Sequence, residues 1–113
     1  MDMEHKAKML RAASKMRLYL TMLGVKTDID EDDAVVRVAV DQSNIISCTI
    51  RDPDDPEVET ILIKGGIVDD QSVYNCEHIA ELSDYIFFMR AHVHEHKTGA
   101  EKISRFVSLT APE

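Results

Sequence analysis

An apolar run at residues 34–64, AVVRVAVDQSNIISCTIRDPDDPEVETILIK, constrains the fold more than any other feature of the sequence. Large apolar side chains recur at every second position in its first two segments, which is the period of a β-strand with one buried face. The residues that share this face are Val36, Val38, Val40, Ile46, Cys48 and Ile50.

Two polar turns divide the run into three strands. The first turn, residues 41–44 (DQSN), is short and made of residues that favour tight reversals, so the strands around it pair antiparallel. The second turn, residues 51–57 (RDPDDPE), contains Pro53 and Pro56, which lack the amide hydrogen that a central strand needs. The third strand ends before Gly65. The sequence therefore predicts a three-stranded antiparallel sheet.

A helix is predicted over residues 1–24, before the sheet. Its apolar residues are spaced by four, three, four and three, which places them on one face. Gly24 supplies the left-handed backbone conformation that commonly ends a helix. The residues of this buried stripe are Met9, Ala13, Met16, Leu20 and Leu23.

A second helix is predicted over residues 72–98, with Ser72 or Asn75 as its N-cap. The sequence from Thr98 to Glu101 resembles a capping box and predicts a short third helix over 99–109. The inward residues of the two helices are predicted to be Ile79, Leu82, Ile86, Met89 and Val93, then Ile103, Phe106 and Val107.

The predicted fold class is α+β, in the order α-β-β-β-α, with two main helices and a short C-terminal helix packed on the sheet. At 113 residues the chain is expected to form a single domain, 1–113. The polar stretch at residues 26–33, KTDIDEDD, is expected to be a solvated connection. Its acidic residues lack the glycine and glutamate that an EF-hand loop requires.

Charge is distributed unevenly along this chain, whose formal net charge is −8. Residues 1–26 carry six bases and two acids, a net charge of +4, whereas residues 27–113 carry seven bases and nineteen acids, a net charge of −12. An acidic body of this kind repels nucleic-acid phosphates and disfavours direct nucleic-acid binding. A field of this sign instead steers a protein towards a basic partner.

The candidate partner-binding residues are acidic and lie in and around the second turn and after Gly66. A charge run is usually only a solvated surface that keeps a protein soluble, and that alternative stays open. The candidates are Asp52, Asp54, Asp55, Glu57, Glu59, Asp69 and Asp70.

The alternative chemistry is a metal site at the His92–His96 cluster. On a helix, two histidines four residues apart share a face and can bind one metal ion. The cluster lacks the second histidine of the zinc-protease pattern, and histidines at a helix C-terminus are commonly solvated. The sequence therefore predicts no cofactor, with His92 and His96 as the candidate ligands if a metal is bound.

Cys76 and His78 do not form a convincing nucleophile and base, because residues two apart on a helix point to different sides. Cys48 is expected to be a buried thiol, and two distant cysteines do not indicate a disulfide framework. Gly65–Gly66 is expected to be a turn, since it lacks the longer phosphate-binding patterns.

Two helices on a three-stranded sheet are expected to leave apolar surface uncovered. Such a surface often marks self-association or a partner site, so a homodimer is one alternative. Examples of residues expected in this surface are Tyr19, Met22, Tyr85 and Phe88.

Two known families share parts of this pattern. Double-stranded RNA-binding domains have the same element order but need a basic second helix, and this one is neutral to acidic. The residues LYLTMLGVKTDIDEDDAVVRVAVD, about a third of the chain, resemble the opening of type III secretion chaperones. That resemblance implies a small acidic dimer that holds its partner in extended form, although the second half departs from that family's pattern of further strands.

No motif in the sequence indicates a reaction. The sequence therefore predicts a non-enzymatic protein-binding module that acts as an inhibitor, adaptor or chaperone, and one version of this hypothesis has it present an acidic, nucleic-acid-like surface. A small metal-dependent enzyme or metal sensor and a structural subunit of a larger assembly are the other hypotheses. The absence of a long apolar run favours a cytoplasmic protein without membrane contact.

Overall fold

The computed structural model describes residues 3–52, 54–92 and 98–110, without the side chains of residues 55, 56 and 71. Within those ranges the chain forms three helices and five strands. In chain order these are α1 (Met3–Met22), β1 (Thr27–Asp30), β2 (Val35–Ala39), β3 (Asn44–Asp52), β4 (Asp55–Lys64), β5 (Ile67–Cys76), α2 (Ile79–His92) and α3 (Gly99–Thr110).

The five strands form one antiparallel sheet in the order β1-β2-β3-β4-β5. The α+β class is confirmed, but the prediction of three strands is wrong. Strand β1 lies in the stretch that was expected to be a connection, where Thr27 and Ile29 pair with Val38 and Val36. Four residues with two exposed or half-exposed acids carry too little apolar periodicity to indicate a strand.

Strand β5 occupies residues that were assigned to a turn and to the start of the second helix. Its register shifts between Thr60 and Leu62 of β4, so β5 contains a bulge. The hydroxyl of Ser72 occupies this bulge: it accepts a hydrogen bond from the Leu62 amide (3.1 Å) and donates one to the Asp69 carbonyl (2.7 Å). A bulge interrupts the two-residue alternation, which explains why the strand was missed.

One face of the sheet is covered by helices and forms the core. Val36, Val38, Ile46 and Cys48 have no exposed surface, and Val40 and Ile50 are also buried, so the predicted face of the first two strands is confirmed. Helix α1 contributes three fully covered residues to this core, which are Ala13, Met16 and Leu20.

Helix α1 ends as its sequence predicts. Gly24 has a φ of 82°, and the amides of Gly24 and Val25 donate to the carbonyls of Thr21 (3.0 Å) and Leu20 (3.0 Å). This is the Schellman arrangement, and it buries Val25 beneath the helix end. The last residue of the predicted stripe, Leu23, lies beyond the helix and is 42% exposed.

Helix α2 begins at Ile79, later than predicted, so neither Ser72 nor Asn75 is its cap. Its first amides are satisfied by His78, whose Nδ1 accepts a hydrogen bond from the Glu81 amide (3.2 Å). The predicted stripe is otherwise present, since Leu82, Ile86 and Met89 are buried. Val93 lies outside the described residues.

Helix α3 is confirmed, with Thr98 as its N-cap. The Glu101 amide donates to Thr98 Oγ1 (3.1 Å), and the Thr98 hydroxyl donates to the Glu101 carboxylate (3.3 Å). Phe106 is buried as predicted, whereas Val107 is 45% exposed.

The predicted tight turns are present at residues 41–44 and 65–66. Asp41 Oδ1 accepts hydrogen bonds from the amides of Ser43 (2.8 Å) and Asn44 (2.8 Å). Gly65 and Gly66 have φ values of 55° and 83°, which suit a two-residue hairpin turn that few other residues could form. None of the helices described is both long and apolar enough to cross a lipid bilayer.

Candidate partner-binding surface

The antiparallel order of the sheet brings several acidic segments to the same end of the strands. We use the word edge for this row of strand ends and turns, and not for an outer strand. Strands β1, β3 and β5 end at this edge, and β2 and β4 begin there. The β1–β2 turn, the β3–β4 turn and the residue after β5 therefore lie along the same side of the sheet. We call this surface the acidic edge and define it as Asp30, Glu31, Asp32, Asp33, Asp52, Asp54 and Glu77.

The β1–β2 turn presents the most exposed acids of this edge. Asp30 Oδ1 accepts hydrogen bonds from the amides of Asp32 (3.1 Å) and Asp33 (3.3 Å), so its carboxylate shapes the turn. The side chains of Glu31, Asp32 and Asp33 are exposed. Ala34 completes the turn with a φ of 53°, which is uncommon for a residue other than glycine.

The β3–β4 turn adds Asp52 and Asp54. Asp52 Oδ1 accepts a hydrogen bond from the Asp54 amide (2.9 Å) and fixes the turn. Asp54 is exposed and faces helix α1 across a groove of about 280 Å³, whose other walls are Lys8, Arg11, Ala12 and Lys15. The side chain of Asp55 lies outside the described residues.

The structure separates the predicted acidic residues into three settings. Glu57 and Glu59 lie on the uncovered face of the sheet, where their carboxylates are 3.7 Å and 3.6 Å from the Arg51 guanidinium. Asp69 lies near the opposite edge, beside the β4–β5 turn, with its carboxylate 4.0 Å from the Lys64 ammonium. Asp70 is exposed beside it. Among the predicted residues whose side chains are described, Asp52 and Asp54 lie at the acidic edge.

Next to the acidic edge, the start of α2 forms a second groove of about 490 Å³. Unlike the first groove, it is lined by more acids than bases. Its lining is Glu77, His78, Glu81, Asp84, Phe106 and Thr110. Glu81 serves the fold, because its carboxylate accepts hydrogen bonds from the Tyr74 hydroxyl and from the Glu77 amide (2.9 Å). Asp84 and Glu77 are exposed and extend the negative surface beyond the sheet.

Tyr74, Glu81, Tyr85, Phe88 and Phe106 form what we call the aromatic corner, where β5, α2 and α3 meet. The rings of Tyr74 and Tyr85 are 4.7 Å apart, and the Phe106 ring lies 5.3 Å from that of Tyr85. Burial raises the pKa of both tyrosines, and the Glu81 carboxylate raises that of Tyr74 further. The hydroxyls therefore stay protonated, and that of Tyr74 donates to the Glu81 carboxylate.

Both cysteines are free and buried. Burial raises the pKa of the Cys76 thiol from its ordinary value of 9.0 to about 12, with a smaller contribution from the Glu81 carboxylate. Burial also raises the pKa of Cys48. Thiols of this kind hold little of the nucleophilic thiolate at neutral pH. His78 is committed to the α2 cap, so the pair has the geometry of neither a nucleophile nor its base.

The histidine cluster is only partly described. The imidazole of His92 stacks on the Phe88 ring at 4.3 Å, at the last residue of α2. His94 and His96 lie outside the described residues, so the metal hypothesis stays a prediction. Among the residues that are described, no three His, Cys, Asp or Glu side chains are arranged to hold a metal ion.

The apolar residues that were expected to be uncovered behave differently from one another. Met22 is 78% exposed and Tyr19 is 37% exposed, but Tyr85 is buried and Phe88 is half-buried. The rings of Tyr74 and Phe106 cover Tyr85. The sequence alone did not predict that α3, which carries Phe106, packs against Tyr85. Helix α1 also exposes Leu18, which the sequence analysis did not single out.

Sequence analysis missed how the acidic residues are grouped. Glu77 was assigned to a helix, and the acids at residues 28–33 were expected to flank the sheet as a third acidic group, without a place beside the second turn. The alternation of Thr27 and Ile29 with Asp28 and Asp30 was the available indication of a strand there. No family model, no curated protein and no solved structure matches this chain.

Proposed function

We propose that this protein is a small, acidic, non-enzymatic protein-binding module that holds a basic segment of another protein against its acidic edge. The observation that supports this proposal is the strand order, which places the β1–β2 turn, the β3–β4 turn and the end of β5 at one edge. The carboxylates of Glu31, Asp32 and Asp33 are exposed to solvent, and in the described part of the structure they form no hydrogen bond or ion pair.

The chemistry of this edge suits lysine and arginine side chains. Carboxylates accept charge-assisted hydrogen bonds from ammonium and guanidinium groups, and a concentration of one sign of charge accelerates association with the opposite sign. Protein segments that normally bind nucleic acid are rich in lysine and arginine. A module that holds such a segment can act as an inhibitor, an adaptor or a chaperone. The net charge of −8 disfavours direct binding of nucleic acid.

The proposed compartment is the cytoplasm. Both thiols are free and buried. Free buried cysteines are compatible with a reducing compartment.

The test replaces the exposed carboxylates of the edge without changing their size. In one variant Asp32, Asp33 and Asp54 are changed to Asn, and in a matched control Asp70 at the opposite edge is changed to Asn. Proteins retained by the immobilised wild-type chain at about 0.1 M salt, where charges interact over ~10 Å, are compared by quantitative mass spectrometry.

We expect a basic protein to be retained by the wild type and the Asp70→Asn control and to be lost from the triple variant. It should also elute as the salt concentration rises. Equal retention by the triple variant, or loss from the Asp70→Asn control alone, would contradict the proposal.

A further inference from the structure

Helix α1 has a second stripe of side chains on the side that faces away from the core. Its members are spaced by three, four, three and four residues, like the buried stripe, and every member is exposed. We call it the outer stripe and define it as Lys8, Arg11, Lys15, Leu18 and Met22.

The first half of the outer stripe is basic. Lys8, Arg11 and Lys15 line the 280 Å³ groove that Asp54 closes on the other side. In the part of the chain that the structure describes, none of these three bases forms an ion pair within 4.0 Å. Their positive charge is therefore available to a partner.

The second half of the outer stripe is apolar. Leu18 is 62% exposed and Met22, one helical turn later, is 78% exposed. Apolar residues at this spacing form a ridge that packs into the surface of another helix. The distance from Lys8 to Met22 is about 21 Å along the helix axis, or four turns.

A second copy of this chain does not complement the outer stripe by pairing α1 with α1. A parallel pair would place the bases Lys8, Arg11 and Lys15 against the same bases of the other copy. An antiparallel pair would place them against Leu18 and Met22. In both arrangements the charges gain no partner.

We infer that the outer stripe of α1 docks an amphipathic helix of a different protein, one that carries carboxylates along half of its contact face and large apolar residues along the other half. This goes beyond the acidic edge, because it uses another surface and the opposite charge. Carboxylates satisfy Lys8, Arg11 and Lys15, while apolar residues cover Leu18 and Met22.

A helix of another protein fits the outer stripe better than a nucleic-acid duplex or a phospholipid bilayer does. A duplex or an anionic bilayer would bring phosphates close to Asp54 and to the acidic edge beyond it, where they are repelled. A bilayer also gains little, because only two large apolar side chains lie on the stripe. A helix can present its carboxylates to the bases alone.

The test uses two synthetic helical peptides of 21 residues, both with leucine along one half of a 3–4 stripe. One carries glutamate along the other half of that stripe, and the other carries lysine there. Binding to the full chain is measured by fluorescence anisotropy, with vesicles containing anionic phospholipid as a third probe and sedimentation of the chain alone as a fourth measurement.

The glutamate peptide should bind at least tenfold more tightly than the lysine peptide. Lys15→Glu and Leu18→Ser should each weaken this binding at least fivefold. Arg17→Glu, a matched change on another side of α1, should leave it within twofold, and so should the double variant Asp32→Asn, Asp33→Asn, whose carboxylates lie in the β1–β2 turn and not in the groove.

Equal binding of both peptides, or binding that Lys15→Glu and Leu18→Ser do not change, would overturn the inference. So would vesicle binding in place of peptide binding, since the stripe would then meet a lipid surface. Self-association that Leu18→Ser abolishes would assign the stripe to a second copy. Loss of partner binding at the acidic edge would leave these outcomes unchanged, so the two proposals can fail separately.

Discussion

The acidic edge and the aromatic corner contain the same kinds of polar side chain but use them differently. In the corner, the Glu81 carboxylate accepts two hydrogen bonds, and a Tyr74 hydroxyl is one of the donors. At the edge, the carboxylates of Asp32 and Asp33 are exposed. A carboxylate with hydrogen-bond donors around it stabilises the fold, whereas exposed carboxylates grouped together mainly repel one another.

The difference extends to the residues around each carboxylate. In the corner, the hydroxyl of the buried Thr60 donates to the Tyr74 carbonyl (2.8 Å). Buried polar networks of this kind are sensitive to single substitutions. Substitutions in the corner should therefore change the free energy of unfolding, and substitutions at the edge should change binding.

The largest effect is expected for Phe106→Ala in the corner. Phe106 is 3% exposed, and its ring contacts those of Tyr74, Tyr85 and Phe88 at 5.3–5.7 Å. Removing a buried aromatic ring typically costs about 3–5 kcal/mol of the free energy of unfolding. Urea unfolding measures this cost, with the neighbouring exposed residue changed in Val107→Ala as the control. Equal losses in both variants would show that α3 does not pack as described.

Gly99→Ala is expected to have the next largest effect. A Cβ at Gly99 would lie 2.5 Å from the Ser72 Cβ and 2.8 Å from the Asp69 carboxylate, so α3 would have to move away from β5. We expect a loss of about 1–3 kcal/mol, the range for an overpacked site. Ala100→Ser, at an exposed neighbouring position, should change stability by less than about 0.5 kcal/mol. A gain in thermal stability for Gly99→Ala would contradict the close contact.

The buried thiol of Cys76, at the end of β5 next to the corner, should make stability fall at alkaline pH. The pKa of Cys76 is raised from 9.0 to about 12 in the folded protein. Between these pH values the unfolded chain loses the thiol proton and the folded chain keeps it, so a rise in pH favours unfolding. The contribution is complete below pH 9 and is lost as pH rises from about 9 to about 12. In Cys76→Ala, the free energy of unfolding should fall less steeply over this pH range, as measured by urea unfolding at a series of pH values. The same slope in both proteins would show that other groups cause the decline.

Substitutions at the acidic edge should have the smallest effect on stability. Changing Asp32 and Asp33 to Asn removes two charges that repel their neighbours, and the turn keeps the Asp30 carboxylate that shapes it. We expect a change within about 0.5 kcal/mol, in the stabilising direction. Asp30→Ala, which removes the turn's acceptor, serves as the contrast and should lower the melting temperature. A large loss in the double variant would mean that these carboxylates stabilise the fold.

The parts of the fold that follow from local chemistry could be predicted from sequence. Strands β2, β3 and β4 show period-two patterns, Gly24 indicates a helix end, and Thr98 with Glu101 indicates a helix start. The missed strands lack such patterns: β1 is short and acidic, and the bulge at Ser72 interrupts β5. Both are held by pairing with a neighbouring strand, which is tertiary context.

The same limit applied to the candidate site. The sequence identified Asp52 and Asp54, because the turn around them is visible in the prolines and polar residues. It could not place Asp32 and Asp33 beside them, since that depends on β1 joining the sheet. The aromatic corner was missed because Tyr74 was assigned to the second helix and because the packing of α3 against α2 and β5 is tertiary context.

The most direct measurement is zero-length carbodiimide cross-linking of the chain in gentle extracts of the cells that express it, followed by mass spectrometry of the linked peptides. This reagent joins a carboxylate to a lysine that touches it. A link between Asp69 and Lys64, whose charged groups are 4.0 Å apart, is the internal control for the reaction. The proposal predicts links from Glu31, Asp32 or Asp33 to lysines of another protein, weaker at high salt. Links to other proteins that form only at Asp70 or Asp84, while the internal link is present, would contradict it.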